Sequence, residues 1–190
     1  MVSKYNTSMK LRSKAERDEI LNEIFRLYPT KTIELDFETP FQLLAAVMLS
    51  AQMTDKGVNK ATKKLFELVK TPADLLGLEP EKVEVMLRGV NYYRVKTKHL
   101  FQTAEKLVHE HGGKIPHTLE TIRTLPGVGV KTAKVVLSHL YDMPFIGVDT
   151  HIHRVMNRMG IVKTKTPEET DKKLDKLLIE EQKRTMHHAI

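Results

Sequence analysis

Signals that begin helices recur along the whole chain, whereas no segment shows the sustained two-residue alternation of a paired strand. Ser13 and Glu16 have the spacing of a capping box. Thr166 and Glu169 have the same spacing. Thr166 is followed by Pro167, and such a Thr-Pro pair supplies an N-cap and a proline at the first helical position. Apolar residues spaced three and four apart predict further helices over 55–70 and 94–111. The Thr-Pro pairs begin at Thr39, Thr71 and Thr166. We therefore predict an all-α fold, with the apolar run 145–148 as a short strand or a buried connector.

Composition narrows the classes of protein to which the chain could belong. It has 190 residues and no cysteine, which excludes disulfides, a thiol nucleophile and cysteine-ligated metal centres. Lysine and arginine exceed the acids by 31 to 24, and this excess suits a polyanionic partner without proving one. No apolar run approaches the roughly 20 residues of a membrane span. The opening residues lack the apolar core of a signal peptide, so we expect a cytoplasmic protein associated with the nucleoid.

The sharpest local pattern is a glycine-containing turn between two helical segments. Residues 118–123 predict a short helix, 125–129 (LPGVG) a tight turn, and 131–141 a second helix. Gly127 and Gly129 would allow sharp dihedrals and a close approach of another molecule to the backbone. The turn opens into a helix N-terminus, where free amides and the positive end of the helix dipole suit a phosphate. The segment therefore predicts a grip on a nucleic-acid backbone, with an ordinary turn as the alternative.

The same segment also resembles the end of a phosphate-binding P-loop. That motif needs glycine directly before its lysine and a strand before its loop. Here Val130 precedes Lys131, and a helical segment precedes the turn. We therefore reject the P-loop interpretation.

Three motifs in order resemble the endonuclease III branch of the helix-hairpin-helix DNA glycosylases. They are LLAAVMLSAQMTDKGVNKAT at 43–62, LPGVGVKTAKVVL at 125–137 and VDTHIHRVMNRMGIV at 148–162. The similarity runs from about residue 14 to the end of the chain. It implies two lobes with DNA between them. One is a six-helix barrel over 33–143 that includes the helix-hairpin-helix at 118–141, and the other is a lobe of terminal helices formed by 1–32 and 144–190.

The resemblance places the catalytic lysine and aspartate of the family at Lys131 and Asp149. Attack at the sugar C1′ requires an unprotonated amine, and a helix N-terminus with partial desolvation disfavours the ammonium form. The resulting imine would allow elimination of the 3′ phosphate. Asp149 would assist proton transfer or stabilise positive charge on the sugar. The structural alternatives are a solvated lysine and an aspartate that caps the helix beginning at Thr150.

The resemblance also implies a set of DNA contacts. Gln52 matches a polar residue that enters the duplex when a base is extruded, although a helix C-terminal amide is the alternative. The loop at 89–94 is one residue longer than the family pattern, so we assign no second intercalating residue there. For Arg94 and Lys96, a solvated helix face is the alternative to phosphate contacts. The predicted DNA contacts are Gln52, Thr54, Arg94, Lys96, Gly127, Val128, Gly129, Val130 and Thr132.

We predict no resident metal cluster. Neighbouring histidines on a helix do not face one direction, so we do not assign a metal site to His151, His153, His187 and His188. Relatives in this branch continue into four cysteines that hold a [4Fe–4S] cluster, whereas this chain ends at Ile190 without a cysteine. We expect a shortened form, a fragment or a cluster-free lineage, with some apolar surface uncovered on the terminal lobe. The resemblance allows a monovalent cation at the turn carbonyls around Leu125 and Val128.

Together these patterns predict a monomeric bifunctional DNA glycosylase and abasic-site lyase that acts on oxidised pyrimidines in double-stranded DNA. One alternative is a monofunctional mismatch glycosylase of the same superfamily, although such enzymes generally lack a lysine at the position of Lys131. A second is a non-catalytic helix-hairpin-helix DNA-binding protein, and a third is a catalytically compromised remnant.

Overall fold

A computed structural model describes residues 10–28 and 33–189, with side chains described as far as residue 184. The described residues form eleven helices and no strand, which confirms the predicted all-α class. None of these helices is both long enough and apolar enough to cross a membrane. The helices are α1 Lys14–Leu27, α2 Pro40–Leu49, α3 Asp55–Leu68, α4 Pro72–Leu76, α5 Pro80–Met86, α6 Tyr93–His111, α7 Leu119–Ile122, α8 Val130–Tyr141, α9 Thr150–Arg158, α10 Pro167–Leu177 and α11 Glu180–Ala189.

The predicted caps begin the helices expected of them. Ser13 and Glu16 form a reciprocal capping box at α1, and a threonine side chain accepts a hydrogen bond from the third helical amide at α2, α4 and α10. The capping box predicted for Thr166 and Glu169 forms only in part. The carboxylate of Glu169 accepts from the amide of Lys165 at 2.9 Å, one residue before the N-cap Thr166. The cap therefore forms without the reciprocal bond.

The chain divides into two compact units, and the larger spans residues 33–143. It contains seven of the described helices, α2 to α8, around α2, whose residues 41–49 are all buried. An all-buried helix must be apolar on every side, and the one amide in it, Gln42, donates to the carbonyls of Phe66 and Val69. Helix α8 packs on α2, so the second helix of the hairpin rests on the centre of this unit.

The second unit is formed by the residues before 33 and after 143. Its described core joins α1, α9 and α10 through apolar side chains such as Leu21, Met156 and Leu174. Residues 145–148 form an irregular connector whose Ile146 and Val148 enter that core, so the strand alternative is wrong. Large apolar side chains also remain exposed in this unit, including Leu27 and Ile179.

Candidate nucleic-acid interface and active site

The hairpin turn uses its two glycines differently. Gly127 has a φ of +76°, a left-handed conformation that favours glycine, and the amide of Val128 closes the turn on the carbonyl of Leu125 at 3.1 Å. Gly129 is the N-cap of α8, with an ordinary φ of −81° and no side chain to accept from the first amides of the helix. The expectation of sharp dihedrals at both glycines therefore holds for Gly127 alone. Gly129 instead leaves the N-terminus of α8 without a side-chain cap.

Helix α6 supports this turn along one of its faces. Thr103 donates to the carbonyl of Pro126 at 2.8 Å, and Lys106 donates to the carbonyl of Thr124 at 3.3 Å. His99 lies against Gly127, because a Cβ added at that glycine would stand 2.9 Å from His99 Nδ1. The three α6 residues are spaced four and three apart, so they share a face of the helix. One face of α6 therefore supports the turn at three positions.

Lys131 is the second residue of α8 and is exposed. Lys134, one turn later, is only 8% exposed. Of these two α8 lysines, Lys131 is the one that a large polyanion could reach.

A carboxylate absent from our sequence predictions lies within electrostatic reach of Lys131. Burial raises the pKa of Asp55, the first residue of α3; Glu34 raises it further, and the charge of Lys131 lowers it. The Glu34 segment is fixed to α3 through Asn59, which donates to the carbonyl of Glu34 at 2.8 Å and accepts from the amide of Asp36 at 2.9 Å. Asp55 therefore lies within electrostatic reach of both Glu34 and Lys131. Asp55 follows Thr54 in the first of the three motifs, and that adjacency was the only signal in the sequence.

The loop between α2 and α3 carries Gln52 and Thr54. Thr54 caps α3 by accepting from the amide of Gly57 at 3.2 Å, so its hydroxyl already has a structural role. Gln52 is exposed and has a φ of +58°, which is uncommon for a residue with a side chain. Tyr92, just before α6, has the same φ and is 68% exposed. Asn91 links these two loops, donating to the carbonyl of Gln52 at 2.7 Å.

The two basic residues predicted to contact phosphates differ in their surroundings. Arg94 is exposed, and its guanidinium lies 5.6 Å from the ring centroid of Tyr93. Lys96 is half-buried and donates to the carbonyls of Leu49 at 2.7 Å and Ala51 at 2.6 Å. Burial lowers the pKa of Lys96. Arg94 remains available on the surface, whereas the ammonium of Lys96 is committed to the end of α2.

Asp149 lies in the second unit and is the N-cap of α9. Its carboxylate accepts from the amides of His151 and Ile152, both at 2.9 Å. The capping role weighed from the sequence is therefore present. The positive end of the helix dipole favours the ionised form of a carboxylate held in this way.

The histidines do not form a metal cluster in the part of the chain that the structure describes. His153 bonds to the hydroxyl of Thr170 at 2.6 Å, and the ring of His151 bonds to Arg154 at 3.3 Å. No group of three or more potential metal-ligating residues occurs among the described side chains. The side chains of His187 and His188 lie outside the described residues.

Comparison with known proteins identifies relatives that match most of this chain. Residues 45–180 match the HhH-GPD superfamily of base excision DNA repair proteins. The chain is 43% identical over 176 residues to endonuclease III of Escherichia coli K12, covering 93% of this chain and 83% of that protein. It is 41% identical over 164 residues to endonuclease III of Thermotoga maritima, covering 86% and 76% of the two chains.

Solved structures show the same similarity in three dimensions. The chain superposes on an endonuclease III in a non-covalent complex with DNA with a TM-score of 0.88 and 37% identity, covering 94% of this chain and 84% of the other. An endonuclease III trapped covalently on DNA matches with the same values. A thermostable thymine-DNA glycosylase, at 19% identity and a TM-score of 0.76, shares the fold.

Proposed function

Because the chain belongs to the HhH-GPD superfamily of base excision DNA repair proteins, we propose that it removes oxidised pyrimidines from DNA through a covalent imine on Lys131. It is a DNA glycosylase with abasic-site lyase activity, like the endonuclease III proteins that it resembles over most of its length. One chain carries the hairpin, Lys131 and Asp149, so we expect it to act as a monomer on DNA inside the cell.

The observation that carries this proposal is the position of Lys131. The residue lies on the first turn of α8, exposed, directly after a turn whose backbone is held by α6. Because the Gly129 N-cap has no side chain, the leading amides of α8 suit a DNA phosphate. A phosphate held there would place the adjoining sugar near the Lys131 amine. Binding and chemistry would then share one helix terminus.

The reaction requires the lysine nitrogen as a nucleophile. The amine bonds to C1′ while the bond from C1′ to the base breaks, and the base leaves with the electron pair and takes up a proton. O4′ then leaves C1′ with the electron pair of their bond and takes up a proton lost from the nitrogen, which opens the sugar and leaves a protonated imine between Lys131 and C1′. Loss of a C2′ proton then breaks the C3′–O bond and releases the 3′ phosphate. Water finally hydrolyses the imine and regenerates the lysine.

We assign Asp149 the proton transfers and the stabilisation of positive charge on the sugar. Its carboxylate is fixed by two amides at 2.9 Å, so its orientation does not have to be established during the reaction. The positive end of the α9 dipole favours the ionised carboxylate at this position. Capping and catalysis would therefore both use the ionised carboxylate of Asp149.

Extruding a base leaves a gap in the duplex that protein side chains must fill. We assign this role to Gln52 and Tyr92, which are both exposed and lie on two loops joined by Asn91. Tyr92 supplies a flat aromatic surface that stacks on bases without regard to sequence. Arg94, exposed on the next turn, would contact a nearby phosphate.

A monovalent cation at the hairpin remains a prediction. The carbonyls of Leu125 and Pro126 already accept from the amide of Val128 and the hydroxyl of Thr103. Each carbonyl oxygen has a second lone pair, so a cation bound there would share these oxygens with the existing hydrogen bonds.

Borohydride trapping tests the function directly. A duplex carrying one thymine glycol, a ring-saturated pyrimidine, is incubated with the protein and borohydride, which reduces an imine to a stable covalent bond. We expect the wild type to be trapped and Lys131→Ala to give no adduct. Lys64→Ala, at an exposed lysine of α3, is the matched control and should be trapped normally. Absence of a wild-type adduct, or equal trapping of Lys131→Ala, would show the proposal to be wrong.

A further inference from the structure

Two backbone carbonyls at the end of α2 and just after it receive a hydrogen-bond donor from a distant part of the chain. Backbone carbonyls at a helix C-terminus lack partners within the helix and carry the negative end of its dipole. Here the Lys96 ammonium donates to Leu49 at 2.7 Å and to Ala51 at 2.6 Å, from a residue on the first turn of α6. An ammonium group at this position donates hydrogen bonds to these carbonyls, and its positive charge interacts favourably with the negative end of the helix dipole. Lys96 therefore stabilises the backbone immediately before Gln52.

A second contact fixes the next residue of the same loop. Asn91 donates from its side-chain amide to the carbonyl of Gln52 at 2.7 Å. Asn91 directly precedes Tyr92, and both Gln52 and Tyr92 adopt a φ of +58°. Non-glycine residues persist in that conformation only where the surrounding structure determines them strongly. The hydrogen bonds donated by Lys96 and Asn91 restrain the backbone of the Gln52 loop in this way.

We infer that Lys96 and Asn91 are positioning residues that join the Gln52 and Tyr92 loops into one preformed unit for entering the DNA duplex. This inference rests on the proposed function, because the unit matters only if a base is extruded. A preformed unit does not have to be ordered when DNA binds, which lowers the cost of reaching the extruded state.

The same contacts argue against a phosphate contact by Lys96. Its ammonium would have to leave two short hydrogen bonds to backbone carbonyls, and those carbonyls would then lack a donor. Arg94, exposed two residues earlier, would give up only a surface ion pair with Glu84 at 4.0 Å to reach a phosphate. Lys96 thus acts on DNA through the loop that it holds.

Lys96→Met tests the inference, because methionine keeps an unbranched stem and removes the donors. Removal of thymine glycol should fall by about 10- to 100-fold, as expected for misplaced reacting groups. Cleavage at a preformed abasic site, which has no base to extrude, should fall much less. Lys96→Arg, which keeps the charge and the donors, should lose less than Lys96→Met. Lys64→Met is the matched control and should match the wild type in both assays.

The salt dependence of DNA binding distinguishes a Lys96 that holds the Gln52 loop from a Lys96 that contacts a phosphate. Loss of one phosphate contact would reduce the slope of log K against log salt concentration by about 1. We expect Lys96→Met to leave this slope unchanged. A reduced slope with equal losses in both activities would identify a phosphate contact and overturn the inference, as would unchanged rates of base removal.

Asn91→Ala provides a second test if Lys96→Met fails to fold. Asn91 is exposed, so truncating it should leave thermal stability near that of the wild type while base removal falls relative to abasic-site cleavage. Equal effects on both activities would overturn the inference. A wild type that removes no damaged base would instead show that the proposed function is wrong.

Discussion

Replacing Gly127 with alanine should destabilise the protein through two separate effects. The φ of +76° costs an alanine about 1–2 kcal/mol relative to right-handed backbone. The added Cβ would also stand 2.9–3.1 Å from three atoms of His99, including its own Cβ. Because that part of the side chain cannot swing away freely, we expect an overpacking cost of about 1–3 kcal/mol. The free energy of unfolding should therefore fall by about 2–5 kcal/mol.

Thermal denaturation measures this effect, and two further variants separate its causes. For a chain of this size each kcal/mol lowers Tm by about 2–4 °C. Gly129→Ala is the matched control, since its φ is −81° and an added Cβ meets no atom within 4 Å. In a His99→Ala background the ring contacts at 2.9 and 3.1 Å are absent and only the Cβ contact at 3.0 Å remains, so Gly127→Ala should cost less than it does in the wild type.

The same pair of glycines distinguishes stability from DNA binding. Gly129→Ala should keep its Tm but weaken DNA binding, because the added methyl group occupies open space through which a phosphate would approach the N-terminus of α8. An unchanged Tm for Gly127→Ala, or equal losses of Tm for both variants, would refute the reasoning from the turn geometry. A cost of Gly127→Ala that does not fall in the His99→Ala background would refute the clash.

Three further predictions concern side chains around the proposed site. Asp149→Asn should keep the cap and Tm, since asparagine caps as well as aspartate, while base removal falls by about 100-fold or more; Asp149→Ala should also lose about 1 kcal/mol of stability. The raised pKa of Asp55 means that its contribution to stability is present at low pH and is lost as the pH rises through that pKa. The Tm of Asp55→Asn should therefore rise relative to wild type from about pH 4 upward, by the equivalent of less than about 1 kcal/mol. Tyr92→Ala, at a side chain 68% exposed, should slow base removal more than abasic-site cleavage and leave Tm unchanged.

Local chemistry was predictable from the sequence because it acts over a few residues. The threonine caps at Thr39, Thr71 and Thr166 depend on a side chain and an amide three positions later, and all three form. The left-handed end of α6 at Gly112 likewise needs only a residue without a Cβ. The all-α class followed from repeating such signals.

Long-range contacts set the limit of the prediction. Lys96 was expected on a solvated face or on a phosphate, and instead it binds carbonyls 45 and 47 residues away. Asp55 could not be linked with Lys131 before the fold placed α3 near α8. The family pattern, with its extra residue, gave no role to Tyr92, and the role we propose for it rests on its exposure and backbone conformation. Each depends on which helices pack together.

The most direct test of the central claim is to locate the trapped adduct in the chain. Wild-type protein reduced onto a thymine glycol duplex is digested with nuclease and trypsin, and the modified peptide is sequenced by mass spectrometry. The account predicts a sugar remnant on Lys131 and, because trypsin does not cut after a modified lysine, an uncut bond between Lys131 and Thr132. A remnant on Lys134, or on any other lysine of the chain, would contradict it.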